Sequence, residues 1–232
     1  MRRFWDARAQ ENALFFVDNR LDYAAPDAER FWAAGRRDLD YLLELAGVRL
    51  EPQDRVVEVG CGVGRLTRVL AERAREVRAV DISAEMLDRA RELNPELTGV
   101  TWMLGDGRSL AGIPDGWAQA CVSHVVFQHI PDPAITLGYV SEIGRVLRPG
   151  GWAALQVSND PAVHPRRNDP RLWLRALRSR LGRGPRGSRD PSWLGSAVDL
   201  DALGATAAQA GMRMAQVTGA GSLYCILGLE RR

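Results

Sequence analysis

Two rhythms of apolar residues alternate along the chain. Arg55 to Val59 and Val77 to Val80 are short runs of mostly apolar, β-branched residues, the pattern of strands covered on both faces. Val100 to Leu104, Ala118 to Val122 and Trp152 to Val157 repeat it. Between these runs apolar residues recur every three or four positions. Leu66, Val69 and Leu70 define one helix face. Ile82 to Leu93 predicts a second helix with Ser83 as its N-cap, and Ala134 to Leu147 predicts a third that stops at Pro149-Gly150-Gly151. Strands alternating with helices imply a mostly parallel sheet with helices on both sides.

The flanks break this rhythm. Arg2 to Gly47 reads as helical, with Pro26 opening a second helix whose Phe31, Leu39, Leu42, Leu43 and Leu45 recur at roughly helical spacing before Gly47 ends it. After the fifth strand, prolines at 161, 165, 170, 185 and 191 mark an insertion instead of a further strand–helix unit. A helix from Leu200 to Ala210, capped by Gly211, then precedes strands Arg213 to Val217 and Leu223 to Leu229. The short glycine-containing link between them (Gly219, Gly221) makes them an antiparallel pair. The expected architecture is α/β: a doubly wound seven-stranded sheet, last strand antiparallel, with N-terminal helices and an inserted lid. We expect one domain over 1–232, made of a helical cover (1–47), a core (48–160), the insertion (161–195) and a C-terminal helix with its strand pair (196–232).

Composition narrows the class. With 46% hydrophobic and 26% charged residues, the chain is an ordinary globular protein with enough length to bury a core. Cys61, Cys121 and Cys225 are too scattered for a disulfide framework or a zinc site, so no metal and a reduced, cytoplasmic setting are expected. No signal-type apolar core follows the basic residues at the start, and no apolar run approaches the roughly 20 residues of a membrane span. The net charge of +2 is unevenly placed. Between Arg166 and Arg189 lie nine arginines and one acid, Asp169; the remaining 22 arginines and 28 acids sum to −6. Within it Trp173, Leu174, Leu177 and Leu181 share a helical face opposite Arg171, Arg175 and Arg178. A solvated lid, recognition of an acidic or phosphate-bearing substrate, and contact with nucleic acid or membrane are the three readings of this stretch; no basic face interleaved with aromatics accompanies it to favour the last.

The chemistry concentrates at Val56-Val57-Glu58-Val59-Gly60-Cys61-Gly62-Val63-Gly64. A strand that ends in closely spaced glycines and runs into a helix lets the backbone turn sharply, approach a ligand and present unpaired N–H groups to it. Dinucleotide enzymes use a related Gly-x-Gly-x-x-Gly pattern, but here the third glycine arrives one position early and Arg65 stands where that pattern wants glycine. Asp81, directly after the second strand, is placed to accept both hydroxyls of a ribose. Glu58 is a carboxylate inside an apolar strand, which is costly without a polar partner at the strand tip.

Taken together, VVEVGCGVGRLT, AVDISAEMLDRAR, LGDGRSL, CVSHVVFQHIPDP and VLRPGGW, in that order, resemble the successive motifs of the class I S-adenosylmethionine-dependent methyltransferase superfamily, whose sheet is Rossmann-like. The resemblance covers about Leu45 to Val157. It implies S-adenosyl-L-methionine as cofactor, with Glu58, Gly60, Cys61 and Gly62 along its methionine end and sulfonium. It also implies that Asp81 holds the ribose, that Ile82 and Met86 face the adenine, and that Asp106 takes the adenine amino group while Gly107 admits the backbone. Ser123, at the end of the fourth strand, is carried as a further cofactor contact. One departure stands out: the family's acid near the start of the fourth strand is Gln119 here.

The expected reaction is methyl transfer to an oxygen or nitrogen of a small-molecule acceptor, by in-line displacement helped mainly by positioning. The three histidines fall where the carboxyl edge of the sheet should be. His124 is the acid–base candidate for a hydroxyl acceptor, His129 a second candidate with a structural or cofactor-side alternative, and His164 a loop residue. Phe4, Trp5, Phe15, Phe16, Tyr23, Phe31 and Trp32 could line the acceptor pocket or pack on the core. A nicotinamide-dependent oxidoreductase and a non-catalytic nucleoside-binding module are the alternatives, as is an anionic or nucleic-acid acceptor within the methyltransferases. Ser123-His124-Val125-Val126 replaces the Asn-Pro-Pro-Tyr type associated with planar amines, which argues against a nucleic-acid base. Oligomeric state stays open.

Overall fold

A computed structural model describes residues 1–164 and 190–232. Its centre is a seven-stranded sheet in the order β3-β2-β1-β4-β5-β7-β6. The strands are β1 (Arg55–Val59), β2 (Glu76–Asp81), β3 (Val100–Leu104), β4 (Ala118–Ser123), β5 (Leu147–Val157), β6 (Met212–Thr218) and β7 (Cys225–Arg231). The first five pair in parallel, and β7 runs antiparallel between β5 and β6. The expected sheet, with its last strand antiparallel, is the one observed.

Successive strand residues point to opposite faces, and each face has its own core. On one side Val56, Val77, Ala120 and Ala154 meet Leu39 and Leu42 of α2 (Ala28–Ala46) and Leu66 and Leu70 of α3 (Arg65–Arg73). On the other, Val57, Cys121, Leu155 and Leu227 meet Val140 and Ile143 of α5 (Pro133–Val146) and Leu203 of α6 (Leu200–Gln209). The helix α4 (Ala84–Leu93) starts at the predicted N-cap, where the Ser83 hydroxyl accepts from Met86 N at 3.1 Å.

Three differences from the sequence reading have a local cause. Pro26 does not open α2; Asp27 caps it by accepting from Arg30 N at 2.9 Å. The first helix, α1 (Arg2–Val17), is interrupted at Asn12 (φ −166°, ψ 83°), whose side-chain oxygen accepts from Phe15 N and restarts the helix. β5 begins at Leu147, because Leu147 pairs with Ala118 before the Pro149–Gly151 irregularity and the main register resumes at Trp152. The arginine-rich stretch from Arg166 to Arg189, with the helical face expected within it, lies outside the described residues. Among the described residues no helix is long and apolar enough to cross a membrane, and no cluster of His, Cys, Asp and Glu could hold a metal.

Candidate functional site

The carboxyl ends of β1, β2 and β4 open into a cavity of about 1030 Å³, counting its mouth. It sits where ligands bind in open α/β sheets. Its floor is the glycine loop after β1. Gly60 and Gly62 have φ of 77° and 54°, left-handed backbone that favours glycine. A Cβ on Gly60 would stand 2.3 Å from a Val126 methyl, and one on Gly62 would stand 2.8 Å from a Val17 methyl. The loop is tied to β2 by Gly60 N and Cys61 N, which both donate to Val80 O, at 2.7 and 3.1 Å.

Asp81 ends β2 at the rim of this loop. One carboxylate oxygen accepts from Gly62 N at 2.8 Å and the other from Ser83 N at 2.9 Å. Burial raises its pKa against the lowering effect of those backbone N–H groups. Glu58 is 4% exposed, with Thr67 Oγ1 donating to its Oε2 at 2.6 Å. Burial pushes that carboxyl up to about 7, opposed by the Thr67 hydrogen bond and by the charge of Arg65. Cys61 is buried and its thiol pushed up by desolvation, so it lines the wall as an inert group.

The predicted residues Glu58, Gly60, Cys61, Gly62, Asp81, Ile82, Met86, Gly107, His124 and His129 all line the cavity. Ser123 and Asp106 do not. Ser123 is 1% exposed, and its hydroxyl donates to Val59 O at 2.9 Å, which ties β4 to β1. Asp106 is exposed and closes its own turn, accepting from Arg108 N, Ser109 N and Ser109 Oγ, each at 2.7 Å. Gln119 pairs with Gly150 O and Arg148 at the opposite end of β4, far along the strand from the cavity. His164 bridges Ser158 Oγ (2.6 Å) and Leu194 O (2.7 Å), fastening the start and end of the insertion to each other, and is not on the wall.

His124 and His129 face the cavity from the segment after β4. Burial, then the neighbouring Arg65 charge, pushes His124 down to about 4, and burial pushes His129 to about 4 as well. Both rings are therefore neutral at pH 7. Nδ1 of His124 is buried without a hydrogen-bond partner. The His129 ring stands edge-on to Trp5 at 5.5 Å and tilted to Trp193 at 5.7 Å.

Several groups at the site escaped the sequence reading. Val125, next to His124, has φ of 58°, a strained conformation for a β-branched residue. It is held there by Gln156 of β5, whose Oε1 accepts from Val125 N at 2.7 Å while its Nε2 donates to Gln128 Oε1 and Leu223 O. A lone glutamine in an apolar strand was the available signal. Arg65 also lines the cavity, 4% exposed and paired with Asp38. From α1, Met1, Trp5, Phe16 and Val17 complete the wall. The helix is clamped over the β2 side of the cavity by Arg2, which donates to Ile82 O and Gly105 O, and by Asp6, which accepts from Ser83 Oγ at 2.6 Å. The aromatic residues of the N-terminal region thus divide, with Trp5 and Phe16 on the cavity and Phe31 in the core.

Residues 57–155 match a family model described as a methyltransferase domain. A trans-aconitate 2-methyltransferase of Azoarcus sp. is 38% identical over 138 residues, 57% of this chain and 51% of that protein. A ubiquinone biosynthesis O-methyltransferase of Xanthomonas axonopodis pv. citri is 31% identical over 152 residues, 62% of each chain. The matches therefore span about half to three fifths of these relatives' own lengths. The crystal structure of an S-adenosylmethionine-dependent methyltransferase from Mesorhizobium loti superposes with a TM-score of 0.61 at 19% identity, covering 84% of this chain and 97% of that one, a likeness of fold.

Proposed function

We propose that the chain is a class I S-adenosylmethionine-dependent methyltransferase that transfers a methyl group from S-adenosyl-L-methionine to an oxygen or nitrogen of a small-molecule acceptor, a reading supported by the methyltransferase-domain match over residues 57–155 and by the methyltransferase relatives. The observation that carries this reading is one cavity lined by Asp81, by the flush backbone of Gly60 and Gly62 and by the buried carboxyl of Glu58. A nucleoside with a polar tail fits those groups. Bound there, S-adenosylmethionine supplies an electrophilic methyl carbon on a sulfonium.

The residues of the chain then have distinct tasks. Asp81 accepts the ribose hydroxyls, and Ile82 and Met86 cover the adenine ring, with the Gly107 backbone at its edge, held by the turn that Asp106 closes. Ser123 acts indirectly, by fixing the tip of β4. Glu58, whose carboxyl is balanced near neutrality, gains a partner in any cation brought to the strand tip. Trp5 and Phe16 exclude water above the reacting groups. His124 and His129 orient the acceptor as neutral rings, and in-line positioning supplies most of the acceleration.

Calorimetry with S-adenosylmethionine, S-adenosylhomocysteine and NAD, on the wild type and on Asp81→Asn, tests the cofactor. We expect the two sulfur nucleosides to bind and NAD not to, with affinity falling at least tenfold in the variant. Binding of NAD alone would establish the oxidoreductase alternative. Sulfur-nucleoside binding without product from any acceptor would favour a non-catalytic binding module.

A further inference from the structure

Two buried nitrogens on the cavity wall have no partner among the described residues. One is Nε of Arg65, a side chain only 4% exposed; the other is Nδ1 of His124. A buried N–H left unpaired is costly, and native proteins satisfy nearly all of them. Arg65 is not free to swing elsewhere. Its backbone oxygen lies 2.4 Å from where a Cβ on Gly35 of α2 would be, and its guanidinium stands 5.9 Å from the Phe31 ring. Asp38 holds its Nη1 and is itself shared with Arg20. Arg65 thus has no carboxylate of its own.

The order of the strands puts His124 opposite Asp81 across β1, and Arg65, the first residue of α3, lines the same cavity. Asp81 at the β2 tip takes the nucleoside end, β1 lies between, and His124 follows β4 on the far side. On the β4 side of the wall the candidate bases are His124 and His129, and burial makes both weakly basic. An acceptor that needs no proton removed suits this wall best. We infer that the acceptor is a small carboxylic acid, bound as its carboxylate by the Nε–H of Arg65 and by His124 with its proton on Nδ1, and methylated on that carboxylate. This rests on the methyl-transfer reading above. The step balances without a base: a carboxylate oxygen forms the new C–O bond as the carbon–sulfur bond breaks, the bonding pair stays on sulfur, and no proton leaves.

The test uses the full chain saturated with S-adenosylhomocysteine and titrated with a panel of small mono-, di- and tricarboxylic acids and the matching amides. The same panel is then run with S-adenosylmethionine to score methyl esters. We expect at least one acid to bind ten times more tightly than its amide and to be esterified. Arg65→Lys keeps a cation for Asp38 but removes the Nε–H, and should lower kcat/KM for that acid by about tenfold to a hundredfold, the usual effect of a charge-assisted hydrogen bond. Its affinity for S-adenosylmethionine should be unchanged. Acids binding no better than amides, or methylation elsewhere on the acceptor, overturns the inference without touching the methyl-transfer reading. Weakened S-adenosylmethionine binding in Arg65→Lys also overturns it, by giving the nitrogens to the methionine carboxylate. The wild-type panel decides the matter even if the variant does not fold. Absence of any sulfur-nucleoside binding by the wild type refutes the methyl-transfer reading itself.

Discussion

Glu58 offers a prediction whose size follows from its surroundings. Its carboxyl is buried inside β1 and titrates near 7 in the folded protein, against 4.5 when exposed. Between those values the folded state holds more protons than the unfolded one, so stability falls as pH rises. The contribution is complete below pH 4.5 and lost once pH passes 7, and the full swing is about 3 kcal/mol. Glu58→Gln keeps the oxygen that accepts from Thr67 and cannot ionise. Any packing difference between the two proteins is independent of pH and cancels. Urea unfolding without ligand should show the variant gaining about 2–3 kcal/mol on the wild type between pH 5 and pH 8. In a chain of this size that is a relative rise in Tm of about 5–10 °C. A difference constant to within about 0.5 kcal/mol across that range would refute the reasoning, because it would mean that Glu58 ionises alike in both states.

Three further outcomes follow from the geometry. Gly62→Ala places a side chain on left-handed backbone and 2.8 Å from Val17, so calorimetry should show S-adenosylmethionine binding weakened at least tenfold; wild-type affinity would show that the loop adapts. Gln156→Leu strands the N–H of Val125, the Leu223 carbonyl and the Gln128 amide oxygen, and should cost about 2 kcal/mol or more in urea unfolding, whereas a loss under about 0.5 kcal/mol would mean that Val125 is held by something else. Cys61, Cys121 and Cys225 are all buried with thiols pushed up by desolvation, so a maleimide at pH 7 should label none in the native protein and all three in urea; native labelling would contradict that burial.

Much of the fold was legible because strands and helices buried on a parallel sheet carry their period in the residues themselves. β1 and β3 fall where the apolar runs begin and end, and Ser83 caps α4 because a hydroxyl there serves the next turn locally. The glycine loop and Asp81 were legible for the same reason, since the backbone conformation and the strand-end position are local properties. Asp106 was placed correctly in the chain, but its carboxylate is consumed by its own turn, a choice between two partners that a sequence does not display.

The sequence by itself therefore determined the sheet, the glycine floor and the position of Asp81 at the tip of β2. The tertiary structure alone decided what surrounds Arg65, His124 and Val125. Arg65 looked like a spacer that ruled out a dinucleotide, and it became a cavity residue only because α2 brings Asp38 and Phe31 against the start of α3. His124 became a neutral, partnerless ring only through burial among elements distant in the chain, and Val125 is strained only because Gln156 reaches it from the neighbouring strand. Burial and long-range pairing depend on which surfaces meet, and that is settled by packing across the whole sheet and not by the order of residues within any one segment.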